Sequence, residues 1–272
     1  MEAHAVDNYE VRIWKAAAEI EQIEYATYWN NEAEERKKEW WTLDGDFVRM
    51  DAYLEQSYLA PQFRQVVDFL KQRLGMPLRG CGADLAAGNL WATCHLLQVG
   101  AIERIYAVEM SQHRLLQLGP QILERYQVPH EKVVLCLGSF YELQIPDCSL
   151  DFVFLSQAFH HADDPLALLG EIRRVLKPGG VVLIIGEHMI DAVAIRARAY
   201  VRYLLECGIA RIRGTQRTAP VRRPFAPDPV LGDHFYRARE YRTMFLQCGF
   251  TYHSLHLKRS GFQSFVLVRN AR

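Results

Sequence analysis

The chain has 272 residues, room for one large domain or a core with a small extension, and half of them are hydrophobic, enough to build a buried core. Thirty-two basic side chains balance thirty-two acidic ones, so there is no general basic field for coating nucleic acid. The six cysteines form no CxxC pair and Met1–His4 carries no leader-like basic or apolar run; we expect reduced thiols, no zinc knuckle or other metal site, no disulfide and a cytoplasmic setting. The longest apolar strand-like run, Val181–Ile185, is far too short to span a membrane.

In chain order, Met1–Asp51 holds thirteen acidic residues against six basic ones and four of the five tryptophans, Trp14, Trp29, Trp40 and Trp41. Trp14–Ile23 and Asn31–Trp41 lack Gly and Pro and read as helices. Pro61–Leu74 reads as another, with Phe63, Val66, Val67 and Leu70 on one face. From Gly80 the pattern alternates: strand Cys81–Ala86, helix Asn89–Gln98, strand Arg104–Val108, helix Ser111–Tyr126, strand Val133–Leu137, strand Asp151–Leu155, helix Pro165–Leu176 and strand Val181–Gly186. Such alternation means a parallel sheet covered on both faces. Met189–Gly232 breaks the rhythm with a helical run, Asp191–Glu206, and a stretch rich in Arg and Pro; Met189–Arg223 carries eight arginines against Asp191 and Glu206. Helix Phe235–Cys248, closed by Gly249, and an antiparallel pair, Thr251–Leu257 and Phe262–Val268, complete the chain. The expected division is residues 1–75 as a helical extension and 76–272 as the core, with an insertion at 189–232.

The segment Asp84–Leu90 follows the first core strand and opens a helix, the place where a nucleotide-like ligand meets strand ends. Ala86 and Leu90 stand where a GxGxxG fingerprint needs glycine, which disfavours a dinucleotide. Glu109 ends the second core strand, 25 positions after Asp84, where a carboxylate accepts hydrogen bonds from ribose hydroxyls. Gly138, Ser139 and Phe140 follow the third core strand, a small residue and an aromatic that could flank a flat base.

Asp84–Leu90 resembles the D-L-G-x-G-x-G motif of class I S-adenosylmethionine-dependent methyltransferases. Phe159-His160-His161, with Glu171-Ile172-Arg173-Arg174-Val175-Leu176-Lys177-Pro178-Gly179-Gly180, is similar to the "HH … E-x-x-R-V-L-K-P-G-G" stretch of their type 11 branch. The resemblance covers about Gly80–Glu187 and implies an α/β, Rossmann-like doubly wound sheet of seven strands with a reversed last strand. The N-terminal helices and a helical and loop insertion after the fifth strand are then additions. It implies S-adenosyl-L-methionine as cofactor, with Asp84 and Gly88 near the methionine moiety, Glu109 on the ribose, Phe140 on adenine and Gln157 lining the methionine end. Ala86, Met110 and Ser139 complete the cofactor set. Ala86 and Ala87 stand where the family often has glycine and a small residue, and Ser139 stands where an Asp often binds the adenine amino group, a weaker contact without charge assistance.

Methyl transfer from a sulfonium is an in-line displacement of an already activated group, so alignment of the acceptor is the main task of the protein. A base is needed where the acceptor keeps its proton. His160, His161 and His188 follow strand ends and are the candidates; Asp233-His234 reads as the N-terminal cap of the last helix, or as a second base pair. No Asn-Pro-Pro-Tyr or Asp-Pro-Pro-Tyr occurs, and no Cys follows the fourth strand, which disfavours base-amine and cytosine-C5 acceptors. We expect a small-molecule acceptor, such as a sugar, a nucleotide-sugar or a secondary metabolite, under a lid made by the N-terminal helices and the insertion. Tyr53, Tyr58, Arg196 and His234 are its candidate contacts, and the arginines suit an anionic group. The alternatives are an RNA or protein methyltransferase docking through the Arg-rich 196–223 segment, or a non-catalytic binding protein. The N-terminal helices would instead serve as a back-face cap or a homodimer surface.

Overall fold

The computed structural model describes residues 8–15, 19, 47–191, 193–212, 223–228, 232–258 and 260–271. In chain order the strands are β1 (Glu10–Ile13), β2 (Arg79–Leu85), β3 (Ala101–Glu109), β4 (Val133–Leu137), β5 (Leu150–Ser156), β6 (Leu176–His188), β7 (Phe250–His256) and β8 (Phe262–Arg269). The helices are α1 (Phe47–Gln56), α2 (Leu59–Arg73), α3 (Trp91–Val99), α4 (Gly119–Arg125), α5 (Pro165–Val175), α6 (Val193–Ile212) and α7 (Ala238–Gln247).

All eight strands form one sheet in the order β1-β4-β3-β2-β5-β6-β8-β7. β1 to β6 run parallel, while β8 is antiparallel to both β6 and β7. The period of two in each buried strand divides the core between the two faces. Phe152, Phe154, Leu183 and Ile185 join one cluster with Phe63, Val66 and Leu70 of α2. Val153, Leu155, Val182 and Ile184 join the other with Leu168, Leu169 and Ile172 of α5 and Tyr241 and Phe245 of α7. α5 starts where its sequence dictates: Asp164 accepts from the backbone N–H groups of Leu166 and Ala167, and Pro165 sits at N1, where no N–H is needed.

The expected α/β sheet with a reversed last strand is present, with three corrections. First, the sheet has eight strands, because Glu10–Ile13 pairs with Val133–Leu137 as an extra parallel edge. Trp14, expected to begin a helix, directly follows that strand, and its N–H donates to Leu137 O. Second, the single helix expected over Ser111–Tyr126 is divided. A wide turn of π type, His113–Leu118, precedes α4; Pro120 has no N–H to continue an α-helical ladder through that point. Third, the N-cap of α7 is Arg237, whose backbone N–H donates to Glu240 Oε2 at 2.7 Å, and Asp191 Oδ2 accepts from Ala238 N. Asp233 and His234 are therefore released from the capping role the sequence suggested.

α2 is fixed to the sheet by one buried polar residue. Gln62 Oε1 accepts from Gly186 N at 3.1 Å and from Ser264 Oγ at 2.8 Å. This anchor falls where the β6–β8 register slips between Ile184 and Glu187. Gly186 has φ +77° there, and a Cβ on it would lie 2.5 Å from Gln157 Cγ, so only glycine fits. The slip turns Glu187 into the interior. Trp29, Trp40 and Trp41, the helix expected over Asn31–Trp41 and the arginines between 213 and 222 lie outside the described residues. Among the described residues no helix is long and apolar enough to cross a membrane.

Candidate active site

The parallel strands end on one edge of the sheet. β2 is flanked by β3 on one side and β5 on the other, so chain direction diverges there and a crevice opens beyond the strand ends. Asp84 stands near the end of β2, fully buried, and accepts from Thr93 Oγ1 at 2.7 Å. Burial raises its pKa from 3.8 to about 7, and the charge of Glu109 adds to the rise against the Thr93 hydrogen bond. Glu109, 7 % exposed, ends β3 and accepts three backbone N–H groups: Gly88 on Oε2 at 2.8 Å, and Met110 and Ser111 on Oε1 at 2.9 and 2.8 Å. The carboxylate thus ties the Asp84–Leu90 loop to the end of β3 and keeps lone pairs for further donors.

Within that loop, Gly88 has φ +55°, and a Cβ there would meet only Arg114 Nη1 at 3.7 Å. The backbone can be approached closely at this point. Ala86 has φ +53°, a conformation that costs a non-glycine residue about 1 kcal/mol. Replacing Ala86 with Gly should raise stability by about 0.5–1 kcal/mol, read as a higher denaturation midpoint at unchanged slope; a lower midpoint would show that the Ala86 methyl packs usefully.

Gly138 N donates to Glu109 O, which brings the third candidate segment beside the first two. Ser139 Oγ accepts from Tyr141 N at 3.2 Å, a local turn contact. Phe140 is buried, its ring 4.8 Å from that of Tyr141. Trp14 packs directly over Gly138, where a Cβ would lie 2.9 Å from Trp14 Cβ. Met110 is half-buried against the first core cluster. Gln157 has φ +50°, its N–H donates to Ile185 O and its side chain covers Gly186. The cofactor candidates Asp84, Ala86, Gly88, Glu109 and Met110 are thus contiguous, and Ser139, Phe140 and Gln157 follow neighbouring strand ends.

A second group of side chains gathers at the ends of β5 and β6. His160 is 3 % exposed, with Nδ1 3.2 Å from Glu187 Oε2. Glu187 also accepts from Phe159 N at 3.2 Å and Tyr241 OH at 3.0 Å. Burial alone would neutralise His160, but Glu187 raises its pKa above the ordinary value; Glu187 is held low by the same partner despite its own burial. The two form a buried ion pair. His161 Nδ1 lies 3.1 Å from Asp233 Oδ1. The His188 ring is 4.9 Å from that of His160 and packs near Phe235 at 6.1 Å and Phe262 at 5.2 Å. Burial lowers the pKa of His188, and the charge on His160 lowers it further. All three histidines named from the sequence therefore meet.

The candidate acceptor residues divide. His234 N donates to His160 O, and its Nε2 lies 3.1 Å from Asp163 Oδ1, at the rim of the cluster. Tyr58 precedes Leu59, whose Cδ2 would lie 3.2 Å from a Cβ on Gly186, so it stands at the same edge of the sheet. Tyr53 packs against the first core cluster. Arg196 is half-buried on α6. Sequence reasoning missed Glu187 as the partner of His160, Asp233 as the partner of His161, and Trp14 at Gly138. Glu187-His188 at a strand end held a signal; the other pairings join residues distant in the chain.

Residues 83–184 match the family model of the methyltransferase domain. The chain is similar to a methyltransferase domain over this stretch. The match begins just before the Asp84 loop and ends within β6, so it contains Glu109, Phe140, His160 and His161. Among relatives, an uncharacterized methyltransferase of Schizosaccharomyces pombe is 35% identical over 120 residues, 42% of this chain and 43% of its own. Dimethylglycine N-methyltransferase of Parasynechococcus marenigrum is 29% identical over 174 residues, 62% and 59% of the two chains. A demethylmenaquinone methyltransferase of Lysinibacillus sphaericus is 27% identical over 125 residues, 45% and 51%. The chain spans about half the length of the curated relatives it matches. In fold it is similar to a chain from the complex between the Haloferax volcanii Trm112 methyltransferase activator and a methyltransferase, with TM-score 0.54, 18% identity and 82% and 94% of the two chains covered. It is also similar to the [4+2]-cyclase SpnF, with TM-score 0.53, 14% identity and 76% and 81% covered. At such identity these likenesses show the fold alone, and a cyclase among them means that the chemistry has to be argued from the site.

The cofactor of the methyltransferase domain's family is S-adenosylmethionine. The residues present fit it. A carboxylate with spare lone pairs ends β3, the backbone at Gly88 is open to close approach, and a second carboxylate, Asp84, lies deeper in the crevice.

Proposed function

We propose that the chain is an S-adenosylmethionine-dependent methyltransferase acting on a hydroxyl group of a small, ring-bearing acceptor. The observation that carries this reading is the His161–Asp233 pair, with Nδ1 and Oδ1 3.1 Å apart, on the same edge of the parallel sheet as Glu109. When bound, the cofactor supplies an activated methyl group on a sulfonium. Glu109 would accept from the ribose hydroxyls, Asp84 and Gly88 would face the methionine moiety, and Phe140 with Trp14 would border the base. Asp233 accepts Nδ1–H of His161, which leaves Nε2 unprotonated and able to take the acceptor's proton as its oxygen forms the new bond to carbon. The buried Glu187–His160 pair holds the loop that carries His161.

Aromatic rings support a ring-bearing acceptor. Tyr200, Phe225, Phe235 and His188 follow one another at centroid spacings of 6.5, 6.0 and 6.1 Å, a wall running from α6 to the cluster. Sugars and flat secondary metabolites both stack on such walls. Dimethylglycine and demethylmenaquinone, named for two of the relatives, are small molecules as well. The N-terminal segment and the 189–232 insertion serve in this reading as the lid. Asn89 Nδ2 in the cofactor loop is 3.8 Å from Met50 Sδ of α1, which seats α1 beside the crevice.

The test is release of S-adenosylhomocysteine with a panel of sugars, nucleotide-sugars, phenols and amines. With the acceptor found, His161→Ala should lower kcat by about 10²–10⁴-fold and leave cofactor affinity unchanged. Turnover at the wild-type rate in that variant would remove His161 as the base. Amines alone turning over would remove the hydroxyl assignment.

A further inference from the structure

The His161–Asp233 pair leaves part of the cluster without a task. His188 makes no hydrogen bond through its imidazole among the described residues, although it is drawn in between two phenylalanines beside His160. His160 Nε2 points toward Asp233 Oδ1 across 3.9 Å, too far for a hydrogen bond. One ligand atom from each of His160, His188 and Asp233 can be chosen so that all three lie within 4.8 Å of one another.

We propose that His160, His188 and Asp233 form a binding site for one divalent first-row transition-metal ion. Ligand bonds of about 2.0–2.2 Å place two ligands of one ion about 3.3 Å apart in tetrahedral geometry and about 4.2 Å apart when opposite. The 3.9 Å separation falls inside that span. Two imidazoles and one carboxylate favour zinc, cobalt, iron or manganese over calcium or magnesium, which prefer all-oxygen shells. The three ligands come from three separate segments: the turn after β5, the end of β6 and the stretch before α7.

The surroundings fit a metal site better than a chance gathering. Glu187 holds Nδ1 of His160 at 3.2 Å and so aims Nε2 at the site, the carboxylate–histidine arrangement that orients metal-bound imidazoles. Glu187 is itself fixed by Phe159 N and Tyr241 OH. The backbone around Asp233 is held from both sides: Asp228 N donates to Asp233 O at 2.9 Å, and His234 N donates to His160 O at 2.8 Å. The absence of a cysteine motif led the sequence to suggest no metal; these ligands lie at 160, 188 and 233 and share no local pattern.

The role of the ion rests on the proposed methyltransferase reading, whereas its binding does not. Three protein ligands leave coordination positions open. An acceptor hydroxyl bound there becomes more acidic and passes its proton to His161; its oxygen then bonds the methyl carbon as the carbon–sulfur bond breaks and the thioether leaves.

The experiment is titration of the chelator-treated 272-residue chain with Co²⁺, followed by visible absorption. We expect one equivalent bound, with ligand-field bands of a four- or five-coordinate ion and no thiolate charge-transfer band. His188→Ala and Asp233→Asn should each weaken binding at least about 100-fold, and Glu187→Gln about 10–100-fold. Co²⁺ should also raise the melting temperature of the wild type and not of His188→Ala, which shows that the variant is folded and metal-free. No stoichiometric binding, a thiolate band, or equal affinity in wild type and His188→Ala would overturn the site. Titration of S-adenosylhomocysteine in parallel separates the two readings: metal binding without cofactor binding keeps the site and removes its role in methyl transfer.

Discussion

Glu109→Ala should cost most of the S-adenosylmethionine affinity and also lower the stability of the unliganded protein. Two charge-assisted hydrogen bonds to the ribose would be lost, about 1.5–3 kcal/mol each before non-additivity. A net loss of about 3 kcal/mol corresponds to roughly 100-fold in Kd. The second effect follows from the free structure. The carboxylate holds Gly88 N, Met110 N and Ser111 N, and removing it leaves those donors without their acceptor in a nearly closed site. Glu109→Gln keeps one acceptor oxygen and should lie between wild type and Glu109→Ala in both respects. Calorimetry and thermal denaturation read the two effects separately. Affinity within about threefold of wild type in Glu109→Ala would remove the ribose assignment, since a single such bond is worth more than that.

Asp84→Asn should stabilise the protein at pH 8 while weakening cofactor binding. Burial raises the Asp84 pKa from 3.8 to about 7. The folded state therefore holds this proton more tightly than the unfolded chain does. The resulting stabilisation is complete below about pH 4 and is lost as pH rises through about 7. A rise of that size corresponds to roughly 4 kcal/mol as an upper bound. The asparagine keeps an acceptor for Thr93 Oγ1 and carries no buried charge, so its stability should be flat across this window. Its melting temperature at pH 8 should exceed that of wild type by several degrees, at about 2–4 °C per kcal/mol for a chain of this size. Wild-type cofactor affinity should increase through pH 7, as the ionised carboxylate becomes available to the ammonium of the methionine moiety, and Asp84→Asn should show no such increase. A variant less stable than wild type at pH 8 would mean that Asp84 is not strained by its burial. Stability given up for a charge at a binding site is a common exchange in active sites.

Local pattern explains what the sequence revealed. β2 to β6 read clearly because each is a short apolar run bounded by turns, and Glu109 could be placed because it ends one of them at a fixed distance from Asp84. β1 did not read as a strand. It has four residues, both its end residues are exposed, and its partner β4 lies more than a hundred residues away. β6 is longer than expected because it reaches back to Leu176, which pairs with Leu150, across a stretch whose Pro-Gly-Gly reads locally as a turn. In the site, His160, His161 and His188 were visible as histidines after strand ends. Asp233 looked like a helix cap because local sequence cannot show that α7 begins at Ala238, with Glu240 accepting from Arg237 N. Its contact with His161 spans 72 positions of sequence, and only the fold brings them together. Gln62 is the same case in the core: nothing near it announces that one buried amide will bridge α2 to Gly186 and Ser264.

In the proposed reading the crevice beyond β2 and β3 binds S-adenosylmethionine. Calorimetric titration of the wild-type protein with S-adenosylhomocysteine, the product cofactor, tests it most directly. One site per chain is expected, with Kd on the order of 1 μM, about 8 kcal/mol of binding free energy. No saturable binding by a folded protein at millimolar S-adenosylhomocysteine would contradict it.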